Sequence, residues 1–141
     1  MPGIVRYFWR YKMTIEERAE TAAQCKLSGQ CNCCQAVAKV FADTVNVSDE
    51  DLQKLAAGFA AGMGCMEATC GALVGANMIL GLRTGGNGTV KQSRELLAKF
   101  RQKCGAVTCK DLKGAGTGKV LCECDDCVRN AVRSLGEVLG E

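Results

Sequence analysis

Apolar residues recur along this chain every three to four positions, the period of helices buried on one face. Thr14-x-x-Glu17 fits a capping box and predicts a helix to about Leu27, stopping at Gly29. Asn32 caps a second, from Cys33 to about Val45, with Val37, Val40 and Phe41 inward. Ser48-x-x-Asp51 opens a third, Glu50 to about Gly62, whose inner stripe is Leu52, Leu55, Phe59 and Met63. Thr69 is the expected N-cap of a central helix that ends by Gly85. Asn87-Gly88 then marks a turn, and Thr89 starts a charged helix to about Lys103 with Val90, Leu96, Leu97 and Phe100 inward. A short helical turn surrounds Cys109, and a glycine-rich connection, GAGTG, follows it. The last helix, Asp125 to about Leu139, turns Val128, Ala131, Val132, Leu135 and Val138 or Leu139 inward. The pattern predicts an all-α, single-domain bundle of about six helices joined by short loops.

The central helix has an unusual surface. From Ala68 to Leu82 it is apolar except for Thr69 and Asn77. Gly71 and Gly75 share one face, and Ala72 and Ala76 repeat the spacing on the adjacent row. That face is almost bare backbone, so a neighbouring helix or a second sulfur can approach closely. Such faces also invite homodimerisation, although packing within the chain accounts for them equally well. The stretch is too short and too glycine-rich for a membrane span, which takes about 20 apolar residues.

Composition supports helices. Hydrophobic residues make up 48% of the chain but aromatics only 5%, a core of Ala, Leu, Val and Cys that suits close-packed helices. The single proline, Pro2, leaves nothing downstream to break them. Charge excludes more than it suggests. The net charge of +3 comes from Arg6, Arg10 and Lys12, and from Thr14 onward acids and bases cancel. No basic excess points to nucleic acid. Residues 1–13 read as a flexible basic and aromatic arm, residues 14–141 as the domain.

Eleven cysteines and no histidine change the picture. Residues 1–13 hold no apolar core of a secretory leader, so the expectation is a cytoplasmic chain whose cysteines are redox groups or metal ligands and not a disulfide scaffold. Without histidine there is no Ser/His/Asp arrangement, no mixed Cys/His zinc site and no Rieske ligation. Most cysteines stand at predicted helix starts and loops: Cys31, Cys33 and Cys34; Cys65 and Cys70; Cys104 and Cys109; Cys122, Cys124 and Cys127. A helix N-terminus favours thiolate over thiol, and thiolate is both nucleophile and metal ligand. Cys25 falls mid-helix and reads as a small core hydrophobe. Cys31-x-x-Cys34 and Cys124-x-x-Cys127 are each a moderate signal, but they lack the spacing of a zinc ribbon, and Asp125 and Asp126 oppose thiolate formation in the later pair.

In order, Asn-Cys-x-Gln-Ala-Val, a glycine-rich turn before CGAxxGA, a Val-x-Cys and a last cysteine heading a helix resemble the redox-active C-GCAxxG-C-C family of bacteria. The resemblance runs from Lys26 to about Leu139. It implies four hallmark cysteines: Cys33 in NCCQAV, Cys70 in CGALVGA, Cys109 in GAVTCKDL, and Cys124 or, as the other candidate, Cys127 in CDDCVRNAV. The first expectation is an oxidoreductase-like thiol protein, with Cys33 and Cys70 as a reversible bridge and Cys109 and Cys124 as a relay or second bridge. Its redox partner is unspecified. The alternative is an electron-transfer protein in which Cys33, Cys70, Cys109, Cys124 and Cys127 supply ligands to an iron–sulfur cluster, or, less favoured, a structural zinc ion. A helical interaction module with incidental cysteines is the remaining reading.

Overall fold

The computed structural model describes residues 12–141, so nearly all of the expected N-terminal arm, residues 1–13, lies outside the described residues. The predicted caps form. Thr14 Oγ1 accepts from the Glu17 amide at 3.1 Å while Glu17 Oε1 accepts from the Thr14 amide at 3.0 Å, opening helix α1, Ile15–Leu27. Asn32 and Gln35 make the same reciprocal pair at 2.8 and 3.0 Å, opening α2, Cys33–Val40. Ser48 accepts from the Asp51 amide at 3.1 Å at the start of α3, Asp49–Ala56. There follow α4 (Gly71–Thr84), α5 (Thr89–Cys104), the short α6 (Cys109–Lys113) and α7 (Cys124–Leu139). A 3-10 turn, Ala42–Thr44, and a π turn, Gly62–Met66, complete the helical segments. Among the described residues there is no strand, only an isolated antiparallel bridge between Thr69 and Thr108. The chain is all-α.

Helix α4 runs through the centre, against α2, α5 and α7, and α1 lies along α7. Leu73, Ile79, Leu80, Leu96, Phe100, Val128, Val132 and Leu135 fill the core with Val37, Phe41 and Leu52. The bare face of α4 is used inside the chain. A Cβ on Gly75 would stand 2.6 Å from the Cys34 carbonyl oxygen, so the backbones of α2 and α4 touch there. None of α1–α7 is long and apolar enough to cross a membrane.

Four expectations on element bounds and stripes need correcting. Helix α3 ends at Ala56 instead of Gly62, and it could not have run to Gly62, since Ala61 (φ 52°) and Gly62 (φ 59°) turn left-handed. Of its expected stripe Leu52 is buried, whereas Leu55 and Met63 are exposed. Val90 is exposed too, since the buried row of α5 is Leu96, Phe100 and Cys104, four residues apart, and Val90 lies off it. The second helix stops at Val40 and gives way to the 3-10 turn. The glycine-rich connection closes on itself: the Gly118 amide donates to the Gly114 carbonyl at 2.8 Å.

One buried cation ties α1 to the end of α2. Arg18 is 4% exposed; it donates to both Asp43 carboxylate oxygens at 2.6 and 3.0 Å and to the Val40 carbonyl, and lies 5.2 Å from the centre of the Phe41 ring. Arg18→Ala is expected to cost about 2–4 kcal/mol at neutral pH, through lost packing and an orphaned carbonyl as much as through charge. The hydrogen bonds from Arg18 hold the Asp43 carboxyl below its usual range. A lowered carboxylate pKa contributes stability above the unfolded value, lost as pH falls through the folded one. Urea denaturation of both proteins should therefore show their gap narrowing in acid.

Candidate functional site

Four helices point their first turns at one place. Cys33, Cys109 and Cys124 are the first residues of α2, α6 and α7, and Cys70 is the N-cap of α4. All four sulfur residues, with Cys127 one turn into α7, line a single cavity of about 10 Å³ closed by Ala61, Gly71, Leu112 and Lys113. That volume is about the least that holds one water. The structure therefore brings together Cys33, Cys70, Cys109, Cys124 and Cys127, the residues singled out from the sequence.

Local hydrogen bonds explain the convergence. The Cys70 amide donates to the Val107 carbonyl at 2.8 Å and the Cys109 amide to the Ala68 carbonyl at 3.1 Å, which sets the starts of α4 and α6 side by side at the Thr69–Thr108 bridge. The Leu121 and Cys122 amides donate to the Leu112 carbonyl at 2.9 and 3.3 Å, folding the chain back so that α7 begins beside α6. Thr69 is thus a bridge residue, and Cys70, not Thr69, is the N-cap of α4. Gly71 lets α2 approach: a Cβ there would stand 2.6 Å from the Cys33 sulfur.

Lys113 is the residue that reading the sequence missed. Its ammonium donates to the Cys124 sulfur at 2.6 Å. Burial opposes its charge, but Cys124, Cys109 and Cys33 together outweigh burial and raise its pKa. The available signal was its position, one helical turn after Cys109 on the same face.

The thiols differ in their readiness to ionise. Cys70 is drawn down to about 7, first by the adjacent Cys127 thiol and then, against burial, by the amides of Leu73 and Ala72 at the start of α4. Burial instead pushes Cys33 and Cys109 up, so the expectation that every helix-start cysteine leans to thiolate holds only for Cys70 among these three. The desolvation of a charge in a closed apolar site exceeds what a helix terminus returns. Cys127 is raised, because it supplies its proton toward Cys104 and Cys70.

The remaining cysteines sort by place. Cys25 is not a plain core hydrophobe but is disulfide-bonded to Cys31, across the turn from α1 to α2. That bridge uses one sulfur of Cys31-x-x-Cys34, while Cys34 is buried against the Met78 sulfur at 3.8 Å, with its pKa pushed up to about 12 by burial. Cys31-x-x-Cys34 is therefore no dithiol. Cys65 is exposed on the π turn. Cys104 and Cys122 are buried beside Cys127.

A family model described as "Putative redox-active protein (C_GCAxxG_C_C)" matches residues 31–138, and the chain belongs to that family. The chain matches no curated protein and no solved structure.

Proposed function

From membership of this redox-active family, we propose that the chain works by reversible thiol–disulfide exchange at the cavity, with Cys70 as attacking thiolate and Cys33 as resolving thiol. The observation that carries the reading is the convergence of Cys33, Cys70, Cys109, Cys124 and Cys127 on one closed cavity beside a lysine ammonium. In the oxidising direction the Cys70 thiolate attacks one sulfur of a partner disulfide, and the displaced partner sulfur leaves as thiolate and takes a proton. The Cys33 thiol then loses its proton and attacks the Cys70 sulfur, releasing the second partner sulfur as thiol. The balance is one partner disulfide and two thiols in, one Cys33–Cys70 disulfide and one partner dithiol out.

Each side chain has a part in that sequence. Cys127 gives Cys70 its thiolate character. The Lys113 ammonium donates to the Cys124 sulfur and shares the cavity with Cys109, which suits Cys109 and Cys124 to a second bridge or relay. Cys70 is 6% exposed, so a partner reaches it when the covering segment at Ala61 moves. Left-handed Ala61, Met63 and Met66, with φ of 52°, 60° and 66°, make that segment a strained one.

The same sulfurs would also suit a metal. Four thiolates can ligate a zinc ion with little free space, whereas an iron–sulfur cluster needs far more room than about 10 Å³. Disulfide mapping by mass spectrometry across a glutathione redox series tests the proposal. The expected product under mild oxidation is a Cys33–Cys70 linked peptide that disappears on reduction. A chain in which Cys33 and Cys70 stay unlinked, or anaerobic protein that carries iron and visible cluster absorbance, overturns it.

A further inference from the structure

The sulfurs of Cys104, Cys122 and the cavity-lining Cys127 all lie within 4.8 Å of one another. All three residues are buried. Cys122 and Cys104 are 3.4 Å apart, and the Asn130 side-chain amide donates to the Cys104 sulfur at 3.5 Å. Three elements supply the group: the end of α5, the loop before α7, and the first turn of α7. Neither Cys104 nor Cys122 is among the family's four hallmark cysteines.

Two adjacent thiols suffice for a disulfide, and a third within 4.8 Å has no part in one. Three buried sulfurs within 4.8 Å of one another are the donor set of a soft, thiophilic cation. Zinc in a closed protein site takes four ligands, but a d10 monovalent ion such as Cu(I) is satisfied by three sulfurs in a plane. The ligands need not travel far: metal–sulfur bonds of about 2.3 Å place sulfurs roughly 4 Å apart in a trigonal site, within the spacing here.

We propose that Cys104, Cys122 and Cys127 form a three-sulfur site for Cu(I), which shares only Cys127 with the cavity that carries the exchange chemistry. Binding displaces thiol protons to solvent and leaves the copper monovalent, so no oxidant or reductant is required. The inference does not depend on the exchange reading, although Cys127 belongs to both groups and a bound ion would occupy the thiol that supports Cys70.

The test uses the full chain, fully reduced and desalted without oxygen, titrated with Cu(I) in competition with a chromophoric Cu(I) chelator. One equivalent is expected to be retained, with three sulfurs around copper by X-ray absorption. Cys122→Ser is expected to weaken binding by at least ~10–100-fold, the range seen when even an outer partner of a metal ligand is lost, with helical circular dichroism unchanged. Cys33→Ser keeps the site and the stoichiometry. Fewer than three sulfurs around copper, wild-type affinity in Cys122→Ser, or loss of binding in folded Cys33→Ser each overturns the proposal. Should Cys122→Ser fail to fold, retention of one three-sulfur copper by Cys33→Ser supports the site and loss of it refutes it. Since the disulfide-mapping result concerns Cys33 and Cys70, the two proposals fail separately.

Discussion

Cys70→Ser is expected to abolish reaction of the reduced chain with oxidised glutathione at the cavity, a loss of at least about 100-fold in rate, because serine supplies no thiolate nucleophile. In the wild type that rate should rise with pH about a midpoint near 7, the value to which Cys70 is lowered. The sign follows from the reacting species: below the midpoint Cys70 is a thiol, above it a thiolate. Cys127→Ala removes the first of the groups that lower it, so the midpoint moves up toward the ordinary thiol value of 9.0. At pH 7 the thiolate fraction then falls by up to about 50-fold. A more basic thiolate is intrinsically the better nucleophile, by about tenfold over two pKa units, so the net rate loss is roughly fivefold. A stopped-flow pH profile of the three proteins, with thiols counted by mass spectrometry, reads all of this. A Cys70→Ser chain that reacts as fast as wild type, or a Cys127→Ala midpoint that stays near 7, contradicts the assignment.

Gly71→Ala should destabilise the chain by about 1–3 kcal/mol, against the usual trend for glycine within a helix. The new Cβ would stand 2.6 Å from the Cys33 sulfur, 2.6 Å from the Phe59 carbonyl oxygen and 3.3 Å from the Ala60 Cα. A thiol can swing aside; a carbonyl oxygen fixed in backbone cannot. The methyl group therefore pushes Cys33 out of the cavity or pushes the segment at Phe59 off α4, and the Cys33–Cys70 link should be lost along with the stability. Gly81→Ala in the same helix is the control. Nothing stands within 4 Å of a Cβ at Gly81, and its backbone is not left-handed. It is expected to stabilise by about 0.4–1 kcal/mol through a less flexible unfolded chain. Urea midpoints at constant slope measure both. Equal effects at the two glycines would mean that close approach at Gly71 is not what that position requires.

These two results bear on the same motif from different sides. In CGALVGA the cysteine caps the central helix, the first glycine admits the Cys33 sulfur, and the second admits the backbone of α2 at Cys34. The spacing of four between Gly71 and Gly75 puts both on the face that α2 crosses. Chemistry and packing therefore share one stretch, and substitution there is expected to disturb both.

The sequence by itself determined the helices and most of their caps, since these depend on residues three and four apart. Thr14 with Glu17, the Asn32 cap, Ser48 with Asp51 and the turn at Gly88 are local, and each forms as read. It also placed Cys33, Cys70, Cys109 and Cys124 at helix starts, where the structure has them. Where the reading failed, the competing cause was long-range. Helix α3 ends early because the chain must cross the start of α4, where Phe59 and Ala60 lie against Gly71. Thr69 is drawn from its capping role into a bridge with Thr108, a partner 39 positions away that no periodicity reveals. Helix polarity pointed to low thiol pKa values, but how deeply each sulfur is buried, and beside which other sulfur, is a property of the packed core alone. Only the tertiary structure could bring five sulfurs and Lys113 to one cavity, pair Cys25 with Cys31, and gather Cys104 and Cys122 beside Cys127. Contacts of that kind cost chain entropy to close and leave no regular trace along the sequence.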